Sequence, residues 1–277
     1  MTDIRDFANR APSTPSLQPS SDFVTTYEDG SPIDDFVATR TKLVSLASVE
    51  RLASFPILGQ LAFLGMVSNF ENYCRGLLAG ALSICPKSQE KASEKTINFG
   101  GVMWHGNSGY LHRSAFDSKS FADCKELKSC FREFACFELQ DNIFKTVLID
   151  YEKLMQFRHA TVHADGVLPG RNAVKLEIPR SDGPLRVDLN FDRFQSSVQV
   201  ISTLVELINR ELFLELCRRW ATDWRKRGDW QPEMADKLLK KISALFTHSI
   251  YHSGLPNKRK WGHSALKSAV EDKYDVE

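Results

Sequence analysis

The chain has 277 residues, 42% of them hydrophobic, which is enough for one large domain or two small ones around a substantial core. With 36 Lys plus Arg against 35 Asp plus Glu, no chain-wide basic field points to nucleic acid, so any such contact has to be local. The longest apolar stretch, Phe55 to Val67, is interrupted by Gln60 and falls short of the roughly 20 residues a spanning helix needs. The first sixteen residues lack the apolar core of a secretory signal, and together these features predict a cytoplasmic protein with no membrane partner. Six cysteines, at positions 74, 85, 124, 130, 136 and 217, show no CxxC spacing and read as reduced small hydrophobes, not as a zinc finger or a disulfide framework.

Residues 1–32 carry four of the eleven prolines, many Ser and Thr and few large apolar groups, the composition of a disordered tail. From Ile33 to Ala53 the apolar residues Phe36, Val37, Leu43, Val44 and Leu46 are interspersed with charges, which predicts one amphipathic helix that breaks at Pro56. A long core helix follows over Ile57 to Ile84, where Phe63, Met66, Val67, Phe70, Cys74, Leu77 and Ala81 recur at three- and four-residue steps. The glycine-rich stretch 86–118 reads as loop, and Asp123 through Leu139 as helix. Asp141-Asn142 can cap a helix running to His163, with the stripe Phe144, Val147, Leu148, Tyr151, Leu154 and Met155, and Asp165-Gly166 stopping it.

Beyond that stop, Val174, Leu176 and Ile178 alternate with polar residues, as do Leu185, Val187 and Leu189, with Ser181-Asp182-Gly183-Pro184 between. This predicts a β-hairpin at about 173–190. Asp192 to Trp220 is a second long helix, a shorter one follows Pro232, and the polar residues 256–277 read as a flexible tail. The organisation predicted is therefore a disordered tail over 1–32, a mostly α-helical domain over 33–220 with one small hairpin, a helical extension over 221–255 and a second tail.

The helix ending at His163 contains one anomaly. Three residues past Met155 its apolar stripe arrives at Arg158, a permanent charge where the pattern asks for an apolar side chain. His159 and His163 are four apart and share a face of the final turn, where the helix dipole favours imidazolium. Arg158, His159 and His163 thus gather a phosphate-binding fork and two acid–base groups within one and a half turns.

Arg158-His159-Ala160-Thr161-Val162-His163 at the end of a long helix resembles the signature of HEPN-domain ribonucleases, namely Arg, a polar residue, three residues and His. The upstream segment Asn69 to Leu78 resembles the helix on which many HEPN proteins place an acidic residue, here Glu71. The similarity spans roughly residues 35–220 and departs in having His159 where Asn or Asp is frequent. It implies a HEPN-like helical bundle and a homodimer with two motifs facing each other. It also implies a metal-independent endoribonuclease, with no cofactor, that cleaves RNA by 2′-hydroxyl attack. Arg158 would hold the phosphate, and His163, with His159 and Glu71, would serve catalysis. The biological role implied is a toxin or phage-defence effector, with an antitoxin or sensor protein as a further partner.

Other readings of the same residues stay open. Arg158 can pair with Glu152, His159 can be a solvated last-turn histidine, and Glu71 can pair with Arg75. His159 and His163 have the spacing of a helical zinc pair, which would make a zinc-dependent hydrolase. The Glu that marks helical metalloproteases is absent from between them. The helices can also serve a HEPN interaction module without catalysis, binding a partner protein or nucleotide. Arg219, Trp224, Arg225, Lys226 and Arg227 interleave cations with aromatics as single-stranded RNA surfaces do, although such residues also finish a helix against a core.

Overall fold

The computed structural model describes residues 4–8, 16–26, 30–106, 108–249 and 262–276. Over these the protein is mostly α-helical, and no described helix is long and apolar enough to cross a membrane. The helices are α1 (Pro32–Leu46), α2 (Val49–Ser54), α3 (Ile57–Ile84), α4 (Pro86–Ala92), α5 (Phe99–His105), α6 (Cys124–Phe134), α7 (Asp141–His163), α8 (Gly170–Lys175), α9 (Phe191–Ala221), α10 (Ala235–Phe246) and α11 (His263–Lys273).

α3 is the central element because it is apolar nearly all round. Phe63, Met66, Phe70, Tyr73, Leu77 and Ala81 are all buried, and α1, α7, α9 and α10 pack around it. Buried polar groups then fix how neighbours sit. Asn69 donates from Nδ2 to the Phe36 carbonyl of α1 at 2.9 Å, and the Tyr73 hydroxyl donates to Asn209 Oδ1 of α9 at 3.3 Å. Gly59 is required where the chain before α9 crosses α3, because a Cβ there would collide with the Leu189 carbonyl oxygen.

Several sequence expectations are corrected. The predicted helix over 33–53 is two helices, since Ser48 turns the chain out at Ala47 and its hydroxyl accepts from Arg51 N to cap α2. The stretch 86–118 is not loop throughout: Pro86 begins α4, the Asn98 side chain caps α5, and Leu111–Phe116 forms a 3-10 turn. The helix predicted to reach Leu139 stops at Phe134, followed by Cys136 at φ 49. Of the two tails, part of the first lies outside the described residues; 4–7 and 20–23 are 3-10 turns with Phe7 and Phe23 exposed. Positions 256–261 also lie outside the description, but beyond them α11 docks on α9 and α10 through the buried Val270.

The hairpin does not form. Its first arm is helical instead: α8 covers Gly170–Lys175, Val174 is exposed, and Glu177 at φ 55 ends the turn. The second arm does keep its period-two burial, with Val187 and Leu189 inside and Arg186 and Asp188 outside. Its partner is the chain just past α7. Val187 N donates to the Gly166 carbonyl and Leu168 N to the Leu185 carbonyl, both at 2.8 Å, around a single antiparallel bridge from Val167 to Arg186. An isolated hairpin is marginal in water, and here the same backbone groups are satisfied beside the α7 terminus.

Candidate functional site

Helix α7 ends on Asp165 at φ 48 and Gly166 at φ 80, and the Gly166 N–H reaches back to the Ala160 carbonyl at 3.0 Å. A side chain at position 166 would be strained by that φ and would press on Gln60 of α3, whose Nε2 donates to the Val187 carbonyl. The end of α7 is therefore held against the start of α3. Upstream, Tyr151 packs its ring on Phe70 at 4.9 Å and donates its hydroxyl to the Phe121 carbonyl.

On this rigid end the core-facing stripe runs out. Tyr151, Met155 and Ala160 are buried, Arg158 and His159 are half-buried, and Val162 and His163 are exposed. Arg158 makes no hydrogen bond or ion pair among the described residues, so the structure does not pair it with Glu152. The rings of His159 and His163 lie 4.8 Å apart at 51°. His159 Nδ1 is buried without a hydrogen-bond partner. Burial, then the neighbouring His163, Arg171, Arg158 and Lys175, hold His159 below the usual histidine range. Arg158, His159 and His163 are thus brought together with their polar atoms uncommitted. Among the described residues no group of three or more His, Cys, Asp or Glu gathers as a metal ion would require.

Glu71 is placed elsewhere. Among the described residues Glu71 makes no ion pair with Arg158 or with either histidine of the motif. It accepts from Ala122 N at 3.1 Å and Ser120 Oγ at 3.4 Å and lies 3.9 Å from Arg75, which fastens the loop before α6. That is the Arg75 pairing with a loop added, and it uses the carboxylate that the resemblance assigns to catalysis.

The cation–aromatic segment at the end of α9 also divides. Arg219 is fully buried, donating to the Ala135 carbonyl at 2.8 Å, the Cys136 carbonyl at 2.7 Å and Glu215 at 2.7 Å. It closes the C-terminal end of α6, whose last carbonyls have no helical partner, and no ligand can reach it. Trp224 is buried as well, and Arg225 lies over the rings of Trp220 at 4.5 Å and Trp230 at 5.6 Å. Only Lys226 and Arg227 face solvent, and Arg227 is paired with Asp229. An RNA contact through Arg219 and Trp224 is thereby corrected: both side chains belong to the core.

Two cations that the sequence analysis passed over complete the surroundings of the motif. Asn172 of α8 is buried and donates from Nδ2 to the backbone carbonyl and side-chain oxygen of Gln156, at 3.2 and 3.1 Å. That tether sets Arg171 and Lys175, both exposed, beside the last turns of α7. The only sequence signal for this was the abrupt stop at Gly166, which returns the following ten residues to the helix they have just left. A cavity of about 700 Å³ opens on another side of these turns, with Leu154, Phe157, Leu168, Val187, Leu189 and Val200 among the residues that wall it. Compared with family models, curated proteins and solved structures, the chain matches none.

Proposed function

We propose that the protein is a HEPN-like, metal-independent endoribonuclease working as a homodimer, with Arg158 and His163 as its central catalytic residues. The reading rests on one observation: Arg158, His159 and His163 converge on the last turns of α7 with no carboxylate neutralising them. A guanidinium left half-buried and unpaired is costly unless an anion takes the place of the missing partner.

In the reaction the RNA 2′-oxygen attacks the adjacent phosphorus and the bond from phosphorus to the 5′-oxygen breaks. The products are a 2′,3′-cyclic phosphate and a 5′-hydroxyl. One imidazole removes the 2′-hydroxyl proton and a second protonates the leaving 5′-oxygen, so the protons balance without a metal. His159, held below its ordinary pKa, is neutral at pH 7 and suited to accept a proton. His163 serves as its counterpart, within the chain or across a two-fold axis. Arg158 neutralises the charge that grows on the phosphate oxygens.

The dimer is supported by apolar residues around the motif. Ile57 and Leu61 at the start of α3, and Val162 and Val167 at the end of α7, are exposed beside one another's helix ends. Burying them would bring two copies of the motif together. Toxicity to a host and restraint by an antitoxin or sensor protein belong to the same proposal and follow from the resemblance alone.

Cleavage of labelled RNA in excess EDTA tests the reading. Activity that survives EDTA and disappears in Arg158→Ala and His163→Ala supports it. Activity lost to EDTA would favour a zinc-dependent hydrolase, and no cleavage with a retained partner would favour a non-catalytic module.

A further inference from the structure

The strap between α7 and α9 carries charge to the motif as well as closing its end. Arg171 is one residue before the tethered Asn172, and Lys175 is one turn after it, so a single pair of hydrogen bonds to Gln156 positions both cations. Gln156 is less than one turn before Arg158 and His159 on α7. Neither Arg171 nor Lys175 makes an ion pair among the described residues. Asp165 is taken by Arg186 at 2.9 Å, and Glu152 and Glu177 border the same cleft as Lys175 without forming an ion pair with it. Arg158, Arg171 and Lys175 all act on His159, so three cations and two histidines gather around the last turns of α7 in a chain whose net charge is only +1. Like charges held this close repel, and a bound polyanion removes the repulsion.

We infer that Arg171 and Lys175 form a second phosphate-holding arm beside Arg158, so that the site grips single-stranded RNA through neighbouring phosphates as well as the one that reacts. This rests on the ribonuclease reading for the identity of the polyanion. The electrostatic depression of His159 by Arg171 and Lys175 agrees with their closeness to the motif. Both side chains are positioned to bind, not to transfer protons, so they govern affinity for longer RNA and leave the bond-breaking step to α7.

The test is binding of a fluorescein-labelled 2′-O-methyl uridine 12-mer, which lacks the attacking hydroxyl and is not cleaved, followed by anisotropy across a salt series in EDTA. Two phosphate contacts contribute about 1.4 to the slope of log affinity against log salt, at roughly 0.7 per contact on a single strand. Arg171→Ala/Lys175→Ala is expected to lose that much slope and at least tenfold in affinity at 0.1 M salt. Lys42→Ala/Lys145→Ala, which removes the same charge from exposed sites on α1 and in the first turns of α7, is expected to change neither. An unchanged slope in the Arg171/Lys175 variant overturns the inference, and so does a wild-type protein that fails to bind the 12-mer. Cleavage of unmodified RNA is measured in parallel. Normal cleavage with an unchanged slope removes the arm and keeps the nuclease, whereas slope loss without any cleavage keeps the arm and removes the nuclease.

Discussion

His159 and His163 stand in ring contact, 4.8 Å between centroids, so a proton gained by one is felt by the other. Burial and the adjacent His163, Arg171, Arg158 and Lys175 all oppose protonation of His159. Its folded pKa lies below the unfolded value of about 6.5. As pH falls, the unfolded chain takes up that proton first. The stability tied to neutral His159 is complete above about pH 6.5 and declines as pH drops through the interval beneath it. Proton-detected titration of the ring should show a pKa below that of a free histidine. It should rise in His163→Ala, which removes the largest electrostatic opponent, and rise again when RNA phosphates occupy the site. A ring titrating at the free-histidine value in all three states would refute this account.

Cleavage should fall by about 10²–10³-fold in Arg158→Ala, the usual cost of losing a group that stabilises developing charge, and by about 10²–10⁴-fold in His163→Ala. Both side chains are uncommitted in the fold, so melting temperatures are expected to stay within a few degrees of wild type. Initial rates and thermal melts on the same preparations check both halves of the expectation.

If the motifs of two protomers share one cleft, a heterodimer of wild-type and His163→Ala chains should fall well below half of the wild-type rate, making the variant dominant-negative. Independent sites would leave about half, because the intact protomer is undisturbed. Differently tagged chains, co-expressed and purified as heterodimers, distinguish these values.

Arg219→Ala should destabilise the fold by about 2–5 kcal/mol, since it opens a cavity in the core and leaves the Ala135 and Cys136 carbonyls without their donor, while Glu215 keeps its pairing with Arg218. Lys226→Ala, a few residues on but exposed, should change stability by no more than about 0.5 kcal/mol. Urea unfolding followed by circular dichroism measures the contrast. Equal midpoints for the two variants would contradict a structural role for Arg219.

Gly59→Ala should cost about 1–3 kcal/mol by forcing the Leu189 carbonyl away from α3, a form of overpacking. The Leu189 segment is continuous with the strand-like residues that close over the end of α7. The same variant should therefore speed hydrogen exchange at Val187 N, which is otherwise bonded to Gly166.

The bounds of α3, α7 and α9 were legible in the sequence to within a residue or so, because each repeats apolar residues at helical spacing, and α3 and α7 also meet a local stop at Cys85-Pro86 and Asp165-Gly166. Arg158, His159 and His163 were legible for the same reason, since spacing along one helix decides which side chains share a face. What depended on partners distant in sequence was not. Whether residues 173–178 become strand or helix turns on the Asn172 tether to Gln156 and on residues 185–187 pairing with 166–168 instead. Whether Arg219 meets solvent or core turns on where α6 ends, 84 positions earlier at Ala135. Glu71 reads equally well as a site acid or a loop fastener until the loop at 120–122 is placed against it. Periodicity reports the faces of an element, but the choice of which face meets which, and so which charges are spent inside the fold and which are left for a ligand, is made by contacts that only the tertiary structure brings about.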